Sequence, residues 1–490
     1  MSTRFASTLG LRFFSGLAAL ATLAAAPAAE AAGDAKNVIF FLGDGMGPTT
    51  VTAARIFKYG EAGRLTMETF PRTARVKTYS LNAQTTDSAP SMSAYMTGVK
   101  MNNDVLAMSP DTLHLPTCEA TNGHAVPTLL ELAKAAGKAV GAVTTTELTH
   151  ATPAATYAHI CNRDLARAIA VQAVPGGAGF NAALGDGVNV LMGGSQAHWA
   201  PQADPSTDKR DLFAELAALG YTVAKTKADF DAVSPATTTK LIGVFSPKSH
   251  LDYELDRVKN AVPTQPSLSE MTVKAIDVLQ NAAHAAGDKG FFLMVEGGRI
   301  DHALHATNAK RALVDTIAFD DAIKAALGKV DLKDTLVVVT ADHDHTMAIN
   351  GYGRRTGPTT AQEPGILGTV QNADGSNALD ADGLPYTVLA FGNGVRRPDV
   401  RGTDDLKGLV EASNGNPKVA TGNVLTIDPA TSTAADSYYQ VAGVGTNGAG
   451  SETHGGSDVI LMATGAGSAR FKGTIDNTQV FQLVKAALGW

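Results

Sequence analysis

The sequence predicts an α/β fold: a three-layer sandwich whose mostly parallel central sheet carries helices on both faces. Three observations predict it. Short runs of apolar and β-branched residues recur along the chain, as strands buried on both faces require. Stretches of helical period separate them. Five of the runs (37–42, 139–143, 291–295, 336–340 and 459–463) meet a polar cluster at one end. In four that end is the C-terminal one, where open α/β sheets bind ligands.

The chain has 490 residues, 44% hydrophobic and 18% charged, a globular composition with ample length for one large core. A net charge of −7 and no long basic stretch argue against nucleic acid as a partner. Residues 1–32 read as a signal peptide, leaving 33–490 as the mature domain. Arg4 and Arg12 precede an Ala-rich apolar run from Phe13 to Ala26, and Ala29-Glu30-Ala31 is a small-x-small cleavage signal. That run is short for a membrane span, so the expectation is a periplasmic or secreted protein with no stable membrane anchor. In that compartment an isolated pair, Cys118 and Cys161, most simply means one disulfide; two buried thiols are the alternative.

Taken in order, Asn37 to Leu42 is a buried strand emptying into Gly43-Asp44-Gly45-Met46-Gly47, where glycines allow a tight turn and close approach to a ligand. Asp44 is either a ligand or a plain helix N-cap. Thr85 to Pro90 precedes a helix start over Ser91 to Gly98. Ser88 there meets the positive end of a helix dipole, a favourable place for a nucleophile that carries phosphate; the ordinary alternative is that Asp87 or Ser88 only caps the helix. Val126 to Ala136 reads as an amphipathic helix ended by Gly137. Ala139 to Val143 is a strand running into Thr144 to Thr146, Glu147, His150 and Thr152. Arg163 is a candidate bidentate clamp for an anion, or a surface arginine.

Val188 to Met192 is a further strand, and Pro201 to Asp256 reads as scaffold. Ser267 to Ala286 is a helix with Glu270 in its first turn. Phe291 to Val295 ends at Glu296, and a helical pattern then runs through Asp320. Asp301 and His305, four apart, share one face of it and can grip a single ion. Leu336 to Thr340 runs into Asp342, His343, Asp344 and His345, a cluster that oxygen- and imidazole-binding zinc would pair. Residues 348–450 are rich in Gly, Asn, Asp and Thr and read as a loop-rich insertion with one strand-like piece, Tyr386 to Phe391. Glu452 to Gly456 then meets the strand Val459 to Ala463, and Val480 to Leu488 closes the chain as a helix. Such convergence of acids and histidines implies two or three metal ions, the recurrent answer to phosphoryl displacement.

The motifs GDGMG at 43–47, TTDSAPS at 85–91, ATP at 151–153, EGGRIDHALH at 296–305, TADHDH at 340–345 and ETHGG at 452–456 together resemble the alkaline phosphatase family, in family order across most of the mature chain. The resemblance implies an exported enzyme that hydrolyses phosphate monoesters through a phosphoserine on Ser88, with two Zn2+ and one Mg2+. It implies that Asp301, His305 and His454 hold the first zinc and that Asp44, Asp342 and His343 hold the second. Asp44, Thr152 and Glu296 would hold magnesium, Arg163 would clamp the phosphate beside Asp87, and His345 would orient a zinc-bound carboxylate. Family members differ at the positions of His150 and His302: some carry Asp and Lys there, others His at both. The His pair implies a third ion held less rigidly and a third site open to zinc. The family also commonly forms homodimers, with an insertion over the interface or active-site rim. The rivals are a phosphodiesterase or sulfatase of the same superfamily, or an exported metal- or phosphate-binding protein without catalysis. The pairing of Ser88 with Arg163 favours monoesters over diesters.

Overall fold

The computed structural model describes residues 35–490 except 204–207, 261–262, 381–382, 384, 395–417, 421–423, 427–435, 437–439, 441 and 446–450. The signal segment 1–32 and part of the expected insertion 348–450 therefore lie outside the described residues. Eight strands come first: β1 (Asn37–Gly43), β2 (Arg72–Lys77), β3 (Ala139–Glu147), β4 (Val190–Gly194), β5 (Thr222–Ala224), β6 (Leu241–Val244), β7 (Phe291–Gly297) and β8 (Thr335–Thr340). Short strands β9 (Asp344–His345), β10 (Met347–Ile349), β11 (Leu389–Gly394), β12 (Lys418–Ala420), β13 (Val424–Thr426), β14 (Ala442–Gly445) and β15 (His454–Gly455) follow, then β16 (Val459–Gly465) and β17 (Gly473–Asp476).

The central sheet has ten strands in the order β17-β2-β16-β8-β1-β7-β3-β4-β6-β5. From β8 to β5 every pairing is parallel, and β16 runs antiparallel to both its neighbours, β2 and β8. This explains the one strand whose polar cluster precedes it. Because β16 is reversed, its N-terminal end lies with the C-terminal ends of the others, so His454 arrives at the same edge as Asp44 and Glu296.

Strands β1, β7 and β8 are buried along nearly their whole length, as their continuous apolar runs demand. One group of helices packs Pro48–Tyr59, Leu268–Ala285 and Ala309–Leu327 together; another packs Ser88–Thr97, Leu129–Ala135, Ala151–Tyr157 and Asn477–Ala487. Capping boxes start several of them: Thr128 with Glu131, Ser267 with Glu270 and Asp476 with Gln479.

Several boundaries differ from the sequence expectation. The helix expected from Val126 begins at Leu129, because Thr128 caps it. The pattern expected to run unbroken to Asp320 is two helices, Arg299–His305 and Ala309–Leu327. Thr307 takes a left-handed φ of 53° between them, and the Asn308 side chain accepts from Arg311 N to start the second. The scaffold segment 201–256 supplies β5 and β6, and the short strands β2 and β17 have no apolar run long enough to announce them. Cys118 and Cys161 form a disulfide. No helix among the described residues is long and apolar enough to cross a membrane.

Candidate active site

The turn after β1 places Asp44 fully buried at the sheet edge. Gly45 makes this possible: its φ is +64°, and a Cβ there would meet the His345 ring at 2.5 Å. Asp342 Oδ1 accepts the Gly45 N–H at 3.0 Å, locking the β1 turn to the end of β8.

Asp87 and Ser88 take separate roles. Asp87 is the N-cap, its carboxylate accepting from Ala89 N, and Ser88 is the first residue of the helix Ser88–Thr97, three residues earlier than expected. Ser88 is buried, with Oγ 3.4 Å from Asp44 Oδ1 and 3.4 Å from His343 Nε2. Arg163 is no surface arginine: its guanidinium donates to Asp87 Oδ1 at 2.9 Å and to His150 Nε2 at 3.1 Å. The Asp104 N–H, on a residue with left-handed φ, holds the other Asp87 oxygen at 2.6 Å.

Around Ser88 the expected ligands gather in groups. Asp44, Asp342 and His343 present ligand atoms within 4.8 Å of one another, all buried. In a second group His305 Nε2 faces His454 Nε2 at 3.1 Å, and Asp301 Oδ1 is 3.3 Å from the first and 3.6 Å from the second. His345 Nε2 also reaches Asp301 Oδ1, at 2.7 Å, while its Nδ1 bonds Glu452 Oε2. In a third group Asp44 and Glu296 meet His150. Thr152, the expected third partner, has its hydroxyl 3.5 Å from Asp44 Oδ2, a longer reach. Thr144 and Thr146 both donate to Glu296 Oε2. His302 and His250 stand beside His150, with ring centroids 4.3 Å apart from each other and each 5.4 Å from His150.

Electrostatics says what this pocket suits. Burial, then the charges of Asp301 and Glu296, raises the Asp44 carboxyl well above its ordinary range. Burial and the Asp44 charge push Asp342 to about 8, and burial pushes Glu296 to about 7. Asp301 goes the other way: the His305 charge and the His345 hydrogen bond outweigh its burial. Glu296 Oε1 and Asp342 Oδ2 are buried with no hydrogen-bond partner. Carboxylates packed this closely with unpaired oxygens and imidazoles fit cations of the zinc and magnesium kind.

Sequence reasoning found the ligand-type residues but gave Glu452 and His250 no role. Glu452 acts through His345, and only its position inside an ETHGG motif could have drawn attention to it. His250 sits in the segment read as scaffold and carries no local signal.

Comparison with known proteins places these observations. The sequence model of the family described as alkaline phosphatase matches residues 35–490. The human tissue-nonspecific alkaline phosphatase is 35% identical over 469 residues, covering 88% of this chain and 79% of that one. An alkaline phosphatase of Gadus morhua is 36% identical over 462 residues, covering 88% and 87%. Among solved structures, the alkaline phosphatase of Thermus thermophilus matches with a TM-score of 0.64 at 28% identity, over 93% of this chain and 92% of that one. That of the Antarctic bacterium TAB5 matches at 0.63 and 22% identity, over 93% and 99%, a likeness of fold.

Proposed function

Because the chain belongs to the alkaline phosphatase family, we propose that it hydrolyses a broad range of phosphate monoesters with Ser88 as nucleophile. The observation that carries this reading is the Ser88 hydroxyl in the first turn of its helix, 3.4 Å from both Asp44 and His343, beside an arginine moored on Asp87. The positive end of that helix's dipole favours a phosphorylated Ser88.

Asp301, His305 and His454 would hold the first zinc, Asp44, Asp342 and His343 the second, and Asp44, Glu296 and Thr152 magnesium. When bound, these ions supply Lewis acidity that lowers the pKa of hydroxyl and water and neutralises phosphoryl oxygens. Ser88 Oγ gives up its proton and attacks phosphorus while the ester P–O bond breaks and the alcohol departs. Water then attacks the phosphoserine, releasing inorganic phosphate and restoring the hydroxyl. Arg163 draws charge from the equatorial oxygens in both steps. Its Asp87 partner fixes the fork so that little orientation is left to chance. Since these groups all address the phosphoryl group, the alcohol is only weakly selected.

The protein is proposed to be exported, to work in the periplasm or outside the cell, and to act as a homodimer with the 348–450 stretch at the rim. Hydrolysis of p-nitrophenyl phosphate at alkaline pH tests the reaction. It should vanish with EDTA and return with zinc and magnesium. Ser88→Ala should abolish turnover and leave metal content intact. No monoesterase activity with full metal loading would overturn the reading, and turnover of bis(p-nitrophenyl) phosphate alone would replace it with a diesterase.

A further inference from the structure

His150 stands between two claimants. On one side Arg163 Nη2 is 3.1 Å from Nε2. A guanidinium has donors only, so Nε2 must accept through its lone pair, and the ring proton sits on Nδ1. Nδ1 is buried and has no hydrogen-bond partner. On the other side a ring nitrogen of His150 lies within 4.8 Å of carboxylate oxygens of Asp44 and Glu296. Glu296 Oε1 there is buried and unpartnered.

A neutral imidazole has one basic lone pair. It can accept from Arg163 or bind a cation, and it cannot do both. Coordination through Nε2 displaces the guanidinium directly. Coordination through Nδ1 moves the ring proton to Nε2, which then faces the guanidinium donor to donor. In either case the ring keeps one N–H and no net proton is released.

We propose that His150 is a positioning residue that switches Arg163: without a third ion it holds Arg163 Nη2, and as a ligand of that ion it releases Nη2 for the phosphoryl oxygens. The released arginine stays in place because Nη1 remains on Asp87 Oδ1 at 2.9 Å. The donor set of one imidazole and two carboxylates suits zinc better than magnesium, which prefers all-oxygen ligands. The proposal rests on the phosphatase reading of Arg163. By reciprocity, the third ion and phosphate strengthen each other's binding, by about tenfold on the usual scale of such coupling.

The test is a double-mutant cycle read by calorimetry of the third zinc equivalent, on full-length protein already carrying two. Arg163→Ala should tighten that zinc about tenfold, by freeing His150 and removing a positive charge. In the His150→Ala background the same change should tighten it by no more than about threefold, the part due to charge alone. Equal tightening in both backgrounds overturns the switch. Wild-type protein with 15N-labelled histidine gives an independent measurement should a variant fail to fold. The long-range 1H–15N pattern of His150 should show protonated Nδ1 before the third zinc; after it, either that proton has moved to Nε2 or the Nε2 resonance has shifted on coordination, and an unchanged ring spectrum overturns the proposal. Both readouts measure binding. A chain that switches without hydrolysing p-nitrophenyl phosphate would sink the phosphatase reading instead.

Discussion

Glu452 shows how much of this site depends on side chains that never meet a substrate. It is buried, bonds His345 Nδ1, and accepts the Thr346 N–H at 2.6 Å, so the His345 ring is held with Nε2 on Asp301. Glu452→Gln should therefore loosen the zinc proposed for the Asp301, His305 and His454 group about 10- to 100-fold, as loss of such an outer partner usually does. Competition against a chelator measures it, and an unchanged affinity would mean that Asp301 and His305 suffice. Asp87 does two jobs. Asp87→Ala should cost about 1 kcal/mol of helix capping and also raise KM by unmooring Arg163, whereas Asp87→Asn should keep most of the cap and still raise KM. Denaturant melts and steady-state kinetics on the pair separate the two roles. The residues that the structure gathers around Ser88 were legible in the sequence because Asp, His and Ser at strand ends are conspicuous by type. Those that only orient them, such as Glu452 and Asp104, were not, because a backbone N–H contact or a left-handed φ leaves no mark in residue identity.

Among the elements, the long apolar strands were readable and the short ones were not. β1, β7 and β8 are buried on both faces and spell this out as Val, Ile, Leu and Phe. β2 alternates exposed and buried positions between charged residues, and β5 has three residues, too few for a period to register. The interruption at 306–308 was missed for a related reason: helical period continues through it, and only Asn308 as a cap announces the restart. Asn308→Ala should destabilise the fold by about 1 kcal/mol. Its effect should extend to the first metal group, since His305 ends the preceding helix. A shift in the urea midpoint with no change in zinc affinity would show that the two helices are set independently.

For the whole molecule, pH acts through a buried pair that belongs to none of the metal-ligand groups. His159 donates to Glu131 Oε1 at 2.6 Å and to Ala107 O at 2.7 Å, so both ring nitrogens carry protons. Burial opposes that charge, but Glu131 outweighs it, and the His159 pKa is raised. Glu131 is lowered, its partner His159 outweighing its own burial. A raised folded value means that the His159 contribution is complete below its unfolded pKa of about 6.5. It is lost as pH rises through the folded value. The stability gap between wild type and His159→Gln should therefore narrow from neutral to alkaline pH, as measured by urea midpoints; a gap that widens would contradict the assignment. The reversed strand β16 has a consequence of another kind. It lies inside the sheet between β2 and β8, although in sequence it follows β8 by over a hundred residues. A ribosome therefore delivers β2 and the parallel strands from β8 to β5 long before the strand that joins them. Until residues 459–465 emerge, β2 has no partner on that side and His454 is not yet in place. Assembly must wait on one late, long-range closure, which makes it slow, and hydrolytic power is withheld from every nascent chain until that seam is sewn.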